Sequence, residues 1–335
     1  MFKEPPKNPI AVVIPCYKVK KHILGVISGI GEYCTKIYVV DDACPEDTGA
    51  WVTQNCQDPR VVVLRNSENL GVGGAVMHGY QAALSDGMEI FVKVDGDGQM
   101  DPALIPYFVA PIISGDADYT KGNRFYDLER IGQMPKLRLF GNAVLSFMTK
   151  LSSGYWDLFD PTNGYTAIHH ETAKHLPFAK ISNRYFFETD MLFRLNTLRA
   201  VVVDIPMDAK YDDEVSNLKI NKVVTEFIGK HLRNFSKRIF YNYYLRDMSL
   251  ASFELPLGCL MVVFGIVFGG FHWWNSLQEG GNTPVGTVML ASLPLLLGTQ
   301  FILAFFGHDI ASVPRRPLQV KRRQFARLAG KLGDQ

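Results

Sequence analysis

The first 125 residues alternate between short apolar runs and longer segments of helical length. The strand-like runs cover residues 10–17, 36–42, 60–66, 89–95 and 117–125. The segments between them include 73–87 and 101–115, which are long enough for helices. Short, nearly continuous β-branched strands separated by helices are typical of a parallel sheet covered on both faces. The pattern therefore predicts an α/β domain with a mostly parallel sheet.

The pattern becomes less regular after residue 125. It predicts a helix near 136–151, a polar segment at 160–168, a helix at 184–195 and a strand at 200–209. From 219 to 250, apolar residues recur at helical spacing with lysines and arginines among them. A basic amphipathic segment of this kind is typical of a helix that lies on anionic lipid. An ordinary packed helix with a solvated charged face is the alternative.

Two long segments near the C-terminus contain no Lys, Arg, Asp or Glu, namely 255–274 and 285–307. A helix of about 20 apolar residues spans about 30 Å, the thickness of the hydrocarbon core of a bilayer. The first segment ends in Trp273 and Trp274, an aromatic pair typical of a membrane interface. We therefore predict a two-helix transmembrane hairpin. Its glycines would also let it pack against a second copy of the chain; they are Gly258, Gly265, Gly269 and Gly270.

Basic residues flank the hairpin on both sides, whereas the loop between its helices has none. The positive-inside rule then predicts that both flanks, and with them both termini and the main domain, lie on the cytoplasmic side of the inner membrane. The resulting division has four parts: a main domain at 1–218, amphipathic juxtamembrane helices at 219–250, the two spans at 251–310 and a basic tail at 311–335.

Composition excludes some classes of function. The formal net charge is only +2, so the chain is not a polycation that would bind nucleic acid. Its five cysteines include no CxxC pair, which argues against a disulfide framework and a zinc site.

Oxygen-bearing side chains cluster in the sequence VDGDGQMDP, residues 94–102, directly after a strand-like run. Carboxylate and amide oxygens suit a hard divalent cation, Mg²⁺ or Mn²⁺, rather than zinc. The glycines let the backbone bend so that side chains two residues apart converge. Such a cation usually completes its shell with substrate phosphates. We predict that Asp95, Asp97 and Gln99 hold a metal that neutralises a nucleotide diphosphate.

The sequences PCYK and DDACPED also follow predicted strands, so they are expected at the same edge of the sheet as the acidic loop. The glycine-rich NLGVGGA, residues 69–75, follows the third strand. A dinucleotide fingerprint would need Gly where Val76 stands and belongs after the first strand, so NAD binding is disfavoured. Glycines that open a helix can still line a phosphate or allow a close backbone contact, which makes Gly73 a candidate donor-site residue.

These motifs together resemble the family-2 glycosyltransferases of GT-A fold, a Rossmann-like α/β fold. Within that family the chain is similar to polyprenyl-phosphate glycosyltransferases of the dolichyl-phosphate mannose synthase type. The resemblance covers roughly residues 9–218 and includes KGNRF and DPTNGY, and the two-span anchor is similar to that of bacterial members. It implies metal-dependent, inverting transfer of one sugar from a nucleotide sugar to a polyprenyl phosphate such as undecaprenyl phosphate, for cell-envelope glycan assembly. UDP is the expected nucleotide because it is the commoner donor in bacteria.

The resemblance also implies roles for individual residues. The nucleotide base would contact Pro15, Tyr17 and Asp42. The metal and donor diphosphate would be held by Asp95, Asp97 and Gln99. Lys210 lies near the place of an arginine that grips this diphosphate. The phosphate of the lipid acceptor would be bound by Arg124, Arg138 and Asn142.

The acceptor determines what else the site needs. A lipid phosphate is already anionic and needs only positioning by arginine, which Arg124, Arg138 and Arg184 could supply. A hydroxyl acceptor, on a lipid-diphosphate-linked saccharide, would need a general base. The candidates are Glu188 and Asp190, which point about 200° apart on a helix, and Asp190 is slightly favoured over Glu188. A structural ion pair is the alternative for Asp190. A third hypothesis is a membrane scaffold that binds nucleotide sugar without turnover.

Overall fold

The computed structural model describes residues 8–126, 136–208, 220–322 and 324. In these parts of the chain, seven strands form one sheet in the order β3-β2-β1-β4-β6-β5-β7. The strands are β1 (Ile10–Cys16), β2 (Lys36–Asp41), β3 (Val61–Arg65), β4 (Ile90–Lys93), β5 (Tyr119–Asn123), β6 (Thr166–His169) and β7 (Val202–Pro206).

Helices separate most of these strands. The first four are α1 (Ile23–Gly29), α2 (Thr48–Asn55), α3 (Val72–Ser85) and α4 (Ile105–Ser114). The next four are α5 (Lys136–Ser153), α6 (His170–Ala173), α7 (Phe187–Leu198) and α8 (Ile220–Phe240). The last two are α9 (Ala251–Glu279) and α10 (Val285–Ala311). A π-helical segment, Tyr241–Arg246, follows α8 directly.

The sheet is mostly parallel, as the sequence predicted. One strand, β6, runs antiparallel to both of its neighbours, β4 and β5. The sequence pattern identified this region only as a polar segment, because β6 is four residues long and follows polar residues. Its register pairs Thr166 with Lys93, and Gly164, two residues before Thr166, lies so close to Asp95 that a Cβ there would be 3.0 Å from a carboxylate oxygen. This strand therefore brings the DPTNGY segment to the acidic loop.

The core lies around the central strands, which are buried on both faces. In β1, six of the seven residues are buried, and all four residues of β4 are. Such strands expose neither face to water, which explains why they read as nearly continuous apolar runs. The exception is Lys93, which is buried at the end of β4.

The chain divides into two compact units. The first contains Met1–Phe235 and Pro314–Gln335, and the second contains Ser236–Val313. The C-terminal segment joins the first unit through buried Asp118, whose carboxylate accepts hydrogen bonds from the backbone N–H groups of Leu318 and Gln319 at 2.8 and 3.1 Å. The Gln319 side chain donates to the carbonyls of Ile112 and Ala117. The chain thus leaves the first unit, forms the second and returns.

The second unit contains α9 and α10, two helices long and apolar enough to cross a membrane. Together they form the predicted hairpin. A Cβ on Gly258 would lie 2.8 Å from the carbonyl oxygen of Gly298, and one on Gly265 would lie 2.8 Å from that of Ala291. These glycines therefore serve close packing between the two helices of one chain.

A buried ion pair lies within the same unit, between Arg238 and Asp309. The guanidinium donates to both carboxylate oxygens, at 2.6 and 2.9 Å, and the hydroxyl of Tyr243 donates to the same carboxylate at 2.7 Å. Arg238 is on α8 and Asp309 is near the end of α10, so this pair joins the juxtamembrane helix to the second span.

We expect the stability of the first unit to depend on pH through buried His231. Its imidazole contacts the hydroxyl of Ser152 at 2.8 Å and the ring of Phe186. Burial lowers the pKa of His231 from 6.5 to about 4. The contribution of neutral His231 to the free energy of unfolding is therefore complete above pH 6.5 and is lost as pH falls towards 4. The loss amounts to roughly 3 kcal/mol. Thermal unfolding in detergent from pH 7.5 to 4 measures it.

The variant His231→Asn keeps an amide that can contact Ser152 and should lose this part of the pH dependence. The matched control is His22→Asn at an exposed position, which should unfold with the pH dependence of the wild type. Equal pH dependence in all three proteins would contradict the prediction.

Candidate active site

A cavity of about 380 Å³ lies at the carboxyl ends of β1, β2 and β4. Sequence-predicted residues on its wall are Pro15, Tyr17, Asp42, Asp95 and Asp97. Other lining residues include Asn69, Gly71, Arg184 and Tyr185. The structure therefore brings together the three loops that the sequence placed at one edge of the sheet.

The acidic loop begins just after β4. The carboxylate of Asp95 lies 2.7 Å from the ammonium group of Lys93. One oxygen of Asp97 accepts the backbone N–H of Gln99 at 3.0 Å, and Gly98 between them has a φ of +83°, which glycine adopts without strain. Gln99 lines a second cavity of about 370 Å³, together with Asp101, Tyr126 and Asp208. The predicted ligand set is thus divided between two neighbouring cavities.

The acidic loop suits a divalent cation that is only partly held by protein. Among the described residues, no group of three or more His, Cys, Asp or Glu side chains could hold a metal. Asp95 and Asp97 nevertheless face one cavity with two carboxylates. Mg²⁺ and Mn²⁺ accept such oxygen donors and take the rest of their shell from water and substrate phosphates. The residues present fit this mode of binding.

Asp42 shapes the wall between β2 and α3. One of its carboxylate oxygens accepts hydrogen bonds from the Asn66 side chain at 2.7 Å and the backbone of Leu70 at 2.9 Å. The other accepts the N–H of Gly71 at 2.7 Å, where the backbone turns at a φ of +85°. Asp42 is therefore buried in the loop that it organises while lining the cavity.

Gly73 makes a close backbone contact. Its N–H donates to the carbonyl of Asn183 at 2.8 Å, and a Cβ at this position would collide with the carbonyl oxygen of Ser182. This contact fixes the segment that carries Arg184 and Tyr185 onto the cavity wall. The sequence grouped Arg184 with the acceptor arginines, whereas the structure places it on the wall of the first cavity.

Arg124 forms a two-pronged ion pair with Asp160 of the DPTNGY segment. The Nε and Nη2 atoms donate to the two carboxylate oxygens at 2.8 and 3.0 Å. Burial alone would raise the pKa of Asp160, but the hydrogen bonds and charge of Arg124 hold it below its usual value. Asp160 is fully buried while the Arg124 side chain is partly exposed. The carboxylate therefore fixes the direction in which the guanidinium faces.

The two candidate bases, Glu188 and Asp190, have different surroundings in the structure. Asp190 is fully buried, and its two oxygens accept hydrogen bonds from the Ser182 backbone and the Asn234 side chain, both at 2.9 Å. Glu188 lies 3.8 Å from Lys93, on the side of the acidic loop. Burial raises the pKa of Glu188. Of the two carboxylates, Glu188 is the one beside the candidate site, because the partners of Asp190 set the rotation of α7.

Three predicted acceptor or donor residues remain. Asn142 is half-buried on α5. The side chain of Arg138 and all of Lys210 lie outside the described parts of the chain. The residues that sequence reasoning missed are Lys93, Gly164 and Tyr185. The signal for Lys93 was a lysine within an otherwise apolar strand.

Gly164 should not tolerate a side chain. An added Cβ would collide with the Nζ atom of buried Lys93 and lie 3.0 Å from an oxygen of Asp95. We expect Gly164→Ala to weaken nucleotide binding at least about tenfold, because Lys93 and Asp95 beneath the acidic loop must shift to make room for the methyl group. Isothermal titration measures this loss. The matched control is Gly25→Ala in α1, where nothing lies within 4 Å of the new methyl group. Unchanged binding in Gly164→Ala would contradict the prediction.

Comparisons with known proteins agree with this geometry. The model of the family described as glycosyl transferase family 2 matches residues 11–176. An undecaprenyl-phosphate mannosyltransferase of Micrococcus luteus is 31% identical over 173 residues, which are 51% of this chain and 70% of the relative. A UDP-N-acetylglucosamine–dolichyl-phosphate N-acetylglucosaminyltransferase of Methanococcus voltae is 27% identical over 218 residues, which are 61% of this chain and 86% of the relative.

Solved structures show the same fold. Glucosyl-3-phosphoglycerate synthase of Mycobacterium tuberculosis in complex with uridine diphosphate superposes with a TM-score of 0.53 and 17% identity, covering 69% of this chain and 81% of that one. The same enzyme with Mn²⁺, UDP-glucose and phosphoglyceric acid gives a TM-score of 0.51 at 17% identity, covering 69% and 80%. At this level of identity the likeness establishes the fold.

Proposed function

Because the chain belongs to glycosyl transferase family 2, we propose that it is a membrane-anchored, metal-dependent, inverting glycosyltransferase that moves one sugar from a nucleotide sugar to a polyprenyl phosphate. The observation that carries the proposal is the cavity at the strand ends, where Asp95 and Asp97 share one wall with Pro15 and Tyr17. A nucleotide needs an apolar and aromatic surface for its base and a cation for its diphosphate. Pro15 and Tyr17 supply such a surface, and Asp95 and Asp97 are carboxylates that would hold the cation.

The donor half of the proposal depends on the acidic loop. A divalent cation held by Asp95 and Asp97 would stabilise the negative charge that develops on the departing diphosphate. Arg184 lines the same cavity and adds a fixed positive charge. UDP is the proposed nucleotide, and a solved structure of the same fold is a complex with Mn²⁺ and UDP-glucose.

The acceptor half depends on Arg124. Its guanidinium is held by buried Asp160 and remains partly exposed, as expected of a group that receives a second anion. A phosphate is already ionised near neutral pH, so its oxygen can attack the sugar carbon directly and needs no base. The relatives named above act, by their names, on undecaprenyl phosphate and dolichyl phosphate, which supports a polyprenyl phosphate here.

One observation favours a second candidate, transfer to a hydroxyl of a lipid-linked saccharide. Glu188 is mostly buried, has a raised pKa and lies beside the acidic loop. A carboxylate with a raised pKa is better matched to accepting a proton near neutral pH. The two acceptors therefore make opposite demands: the phosphate requires Arg124, and the hydroxyl requires Glu188.

The cytoplasmic side of the inner membrane is the proposed location of the catalytic unit. Both ends of the two-helix unit continue into the first unit, since Pro314–Gln335 belongs to it. Two crossings would return the chain to the side from which it started. The basic residues on both flanks of the hairpin favour the cytoplasmic side.

The test is transfer of label from a panel of UDP- and GDP-linked sugars to purified undecaprenyl phosphate, using the full chain in detergent with Mn²⁺ or Mg²⁺. We expect one donor to give a mild-acid-labile lipid product, and we expect chelator to abolish it. If no donor reacts with the phosphate but one reacts with a lipid-linked saccharide, the hydroxyl acceptor is correct. Nucleotide-sugar binding without transfer to either acceptor would contradict both and favour a scaffold.

A further inference from the structure

Lys93 is a fully buried cation beneath the acidic loop. Its side chain is 1% exposed, and its Nζ atom lies 2.7 Å from Asp95 and 3.8 Å from Glu188. Gly164 packs against the same atom so closely that a Cβ there would collide with it. The ammonium group is thus enclosed by two carboxylates and a backbone that leaves no room for another ligand on that side.

The surroundings keep Lys93 charged. The carboxylate of Asp95 pairs with its ammonium group at 2.7 Å, the carboxylate of Glu188 lies 3.8 Å away, and Asp97 follows in the same loop. When ionised, these three carboxylates carry three negative charges, and Lys93 carries one positive charge. The cluster therefore has a net charge of minus two, which one divalent cation would balance.

We propose that Lys93 is the resident counter-ion of the donor site, and that it limits how tightly the nucleotide-free protein binds a divalent cation by cancelling one of the three carboxylate charges. This inference rests on the proposed metal-dependent function and goes beyond it, since it gives a role to a residue that contacts neither substrate. Lys93 acts through Asp95, so it is a positioning residue.

Lys93 would weaken metal binding because its ammonium group repels a divalent cation at short range. Lys93 contacts one of the two carboxylates that would hold the metal, and charges a few ångströms apart in a partly buried site interact more strongly than they do in water. Removing the ammonium group would leave three carboxylates to attract one cation. Glu188 opposes Lys93 in this balance, because its carboxylate adds a negative charge 3.8 Å from the ammonium group while Glu188 is not among the residues that line the cavity.

Mn²⁺ binding to the nucleotide-free full chain in detergent at pH 8, followed by electron paramagnetic resonance, tests the charge count. We expect Lys93→Met to bind Mn²⁺ at least about tenfold more tightly and Glu188→Gln to bind it about tenfold more weakly. The double variant has the same net charge as the wild type, so its dissociation constant should return to within about threefold of it. Lys36→Met, which removes an exposed lysine paired with Asp86, should leave Mn²⁺ binding unchanged.

Several results would overturn the proposal. Weaker or unchanged Mn²⁺ binding in a folded Lys93→Met protein would mean that Lys93 only supports packing. If Lys93→Met does not fold, Glu188→Gln and the double variant test the proposal. A double variant that binds Mn²⁺ as weakly as Glu188→Gln would mean that Glu188 acts as a metal ligand and not through its charge. Absence of Mn²⁺ binding in both the wild type and a folded Lys93→Met protein would overturn this inference, while metal dependence is decided separately by chelator in the transfer assay. A wild type that binds while the variants depart from this pattern overturns this inference alone.

Discussion

Asp97→Asn should abolish most sugar transfer, with a loss of about 10³-fold, while the protein stays folded. The asparagine retains an oxygen that can accept the N–H of Gln99, the contact that Asp97 makes at 3.0 Å. It removes one of the two carboxylates that the acidic loop places on the cavity wall, and with it a charge that would hold a divalent cation against the donor diphosphate. A loss of this size corresponds to about 4 kcal/mol of transition-state stabilisation, a reasonable amount for a metal-assisted leaving group.

The measurement is the initial rate of transfer at saturating Mn²⁺, with thermal unfolding measured on the same samples. The matched control is Asp116→Asn, which changes an exposed carboxylate of the same unit that accepts a hydrogen bond from Ser114. The control should retain wild-type activity. A variant at position 97 that kept more than a tenth of the wild-type rate would show that this carboxylate is not needed for leaving-group departure.

Arg124→Lys should lower the catalytic efficiency towards polyprenyl phosphate about 10²-fold, mainly by raising the KM for the lipid. Lysine keeps a positive charge beside buried Asp160 but cannot form the two parallel hydrogen bonds that Arg124 makes at 2.8 and 3.0 Å. Its ammonium group would therefore be free to turn away from an incoming phosphate. The nucleotide cavity does not include Arg124, so the donor should bind as in the wild type.

Separate titrations of acceptor and donor distinguish this effect from general damage. Arg65→Lys, at an exposed position on β3, is the matched control and should change neither KM. Arg124→Met should in addition lower the melting temperature, because buried Asp160 loses the guanidinium that pairs with it and keeps only hydrogen bonds from Asn163 and the backbone of residue 124. Equal losses in donor and acceptor binding for Arg124→Lys would argue against an acceptor role.

The sequence predicted the fold class and the family correctly, because both depend on local patterns. Apolar runs of strand length and polar loops that follow them are visible without any knowledge of tertiary contacts. The reversed strand β6 was not predicted, since its orientation depends on pairing with Lys93 and its neighbours, more than seventy residues earlier in the chain. The two transmembrane segments were predicted because length and apolarity alone define them.

The site was predicted less completely, for a physical reason. That Asp95 and Asp97 share a cavity follows from one short loop, but the charge around them does not. Lys93 is stabilised by Glu188, which comes from a helix far along the sequence. The choice between Glu188 and Asp190 depends on the rotation of that helix, which hydrogen bonds from Ser182 and Asn234 fix. Such contacts appear only when distant segments are brought together. The individual site roles stay predictions.

The return of the chain to the first unit has a consequence for protein engineering. Topologically, Ser236–Val313 is an insertion into the catalytic unit and not an appendage to its end. Simple truncation after residue 235 would strip Asp118 of two of its backbone hydrogen bonds and remove the Gln319 side chain from its buried position. A soluble enzyme is better sought by internal deletion, in which a flexible polar linker replaces 236–313 and the C-terminal segment is kept.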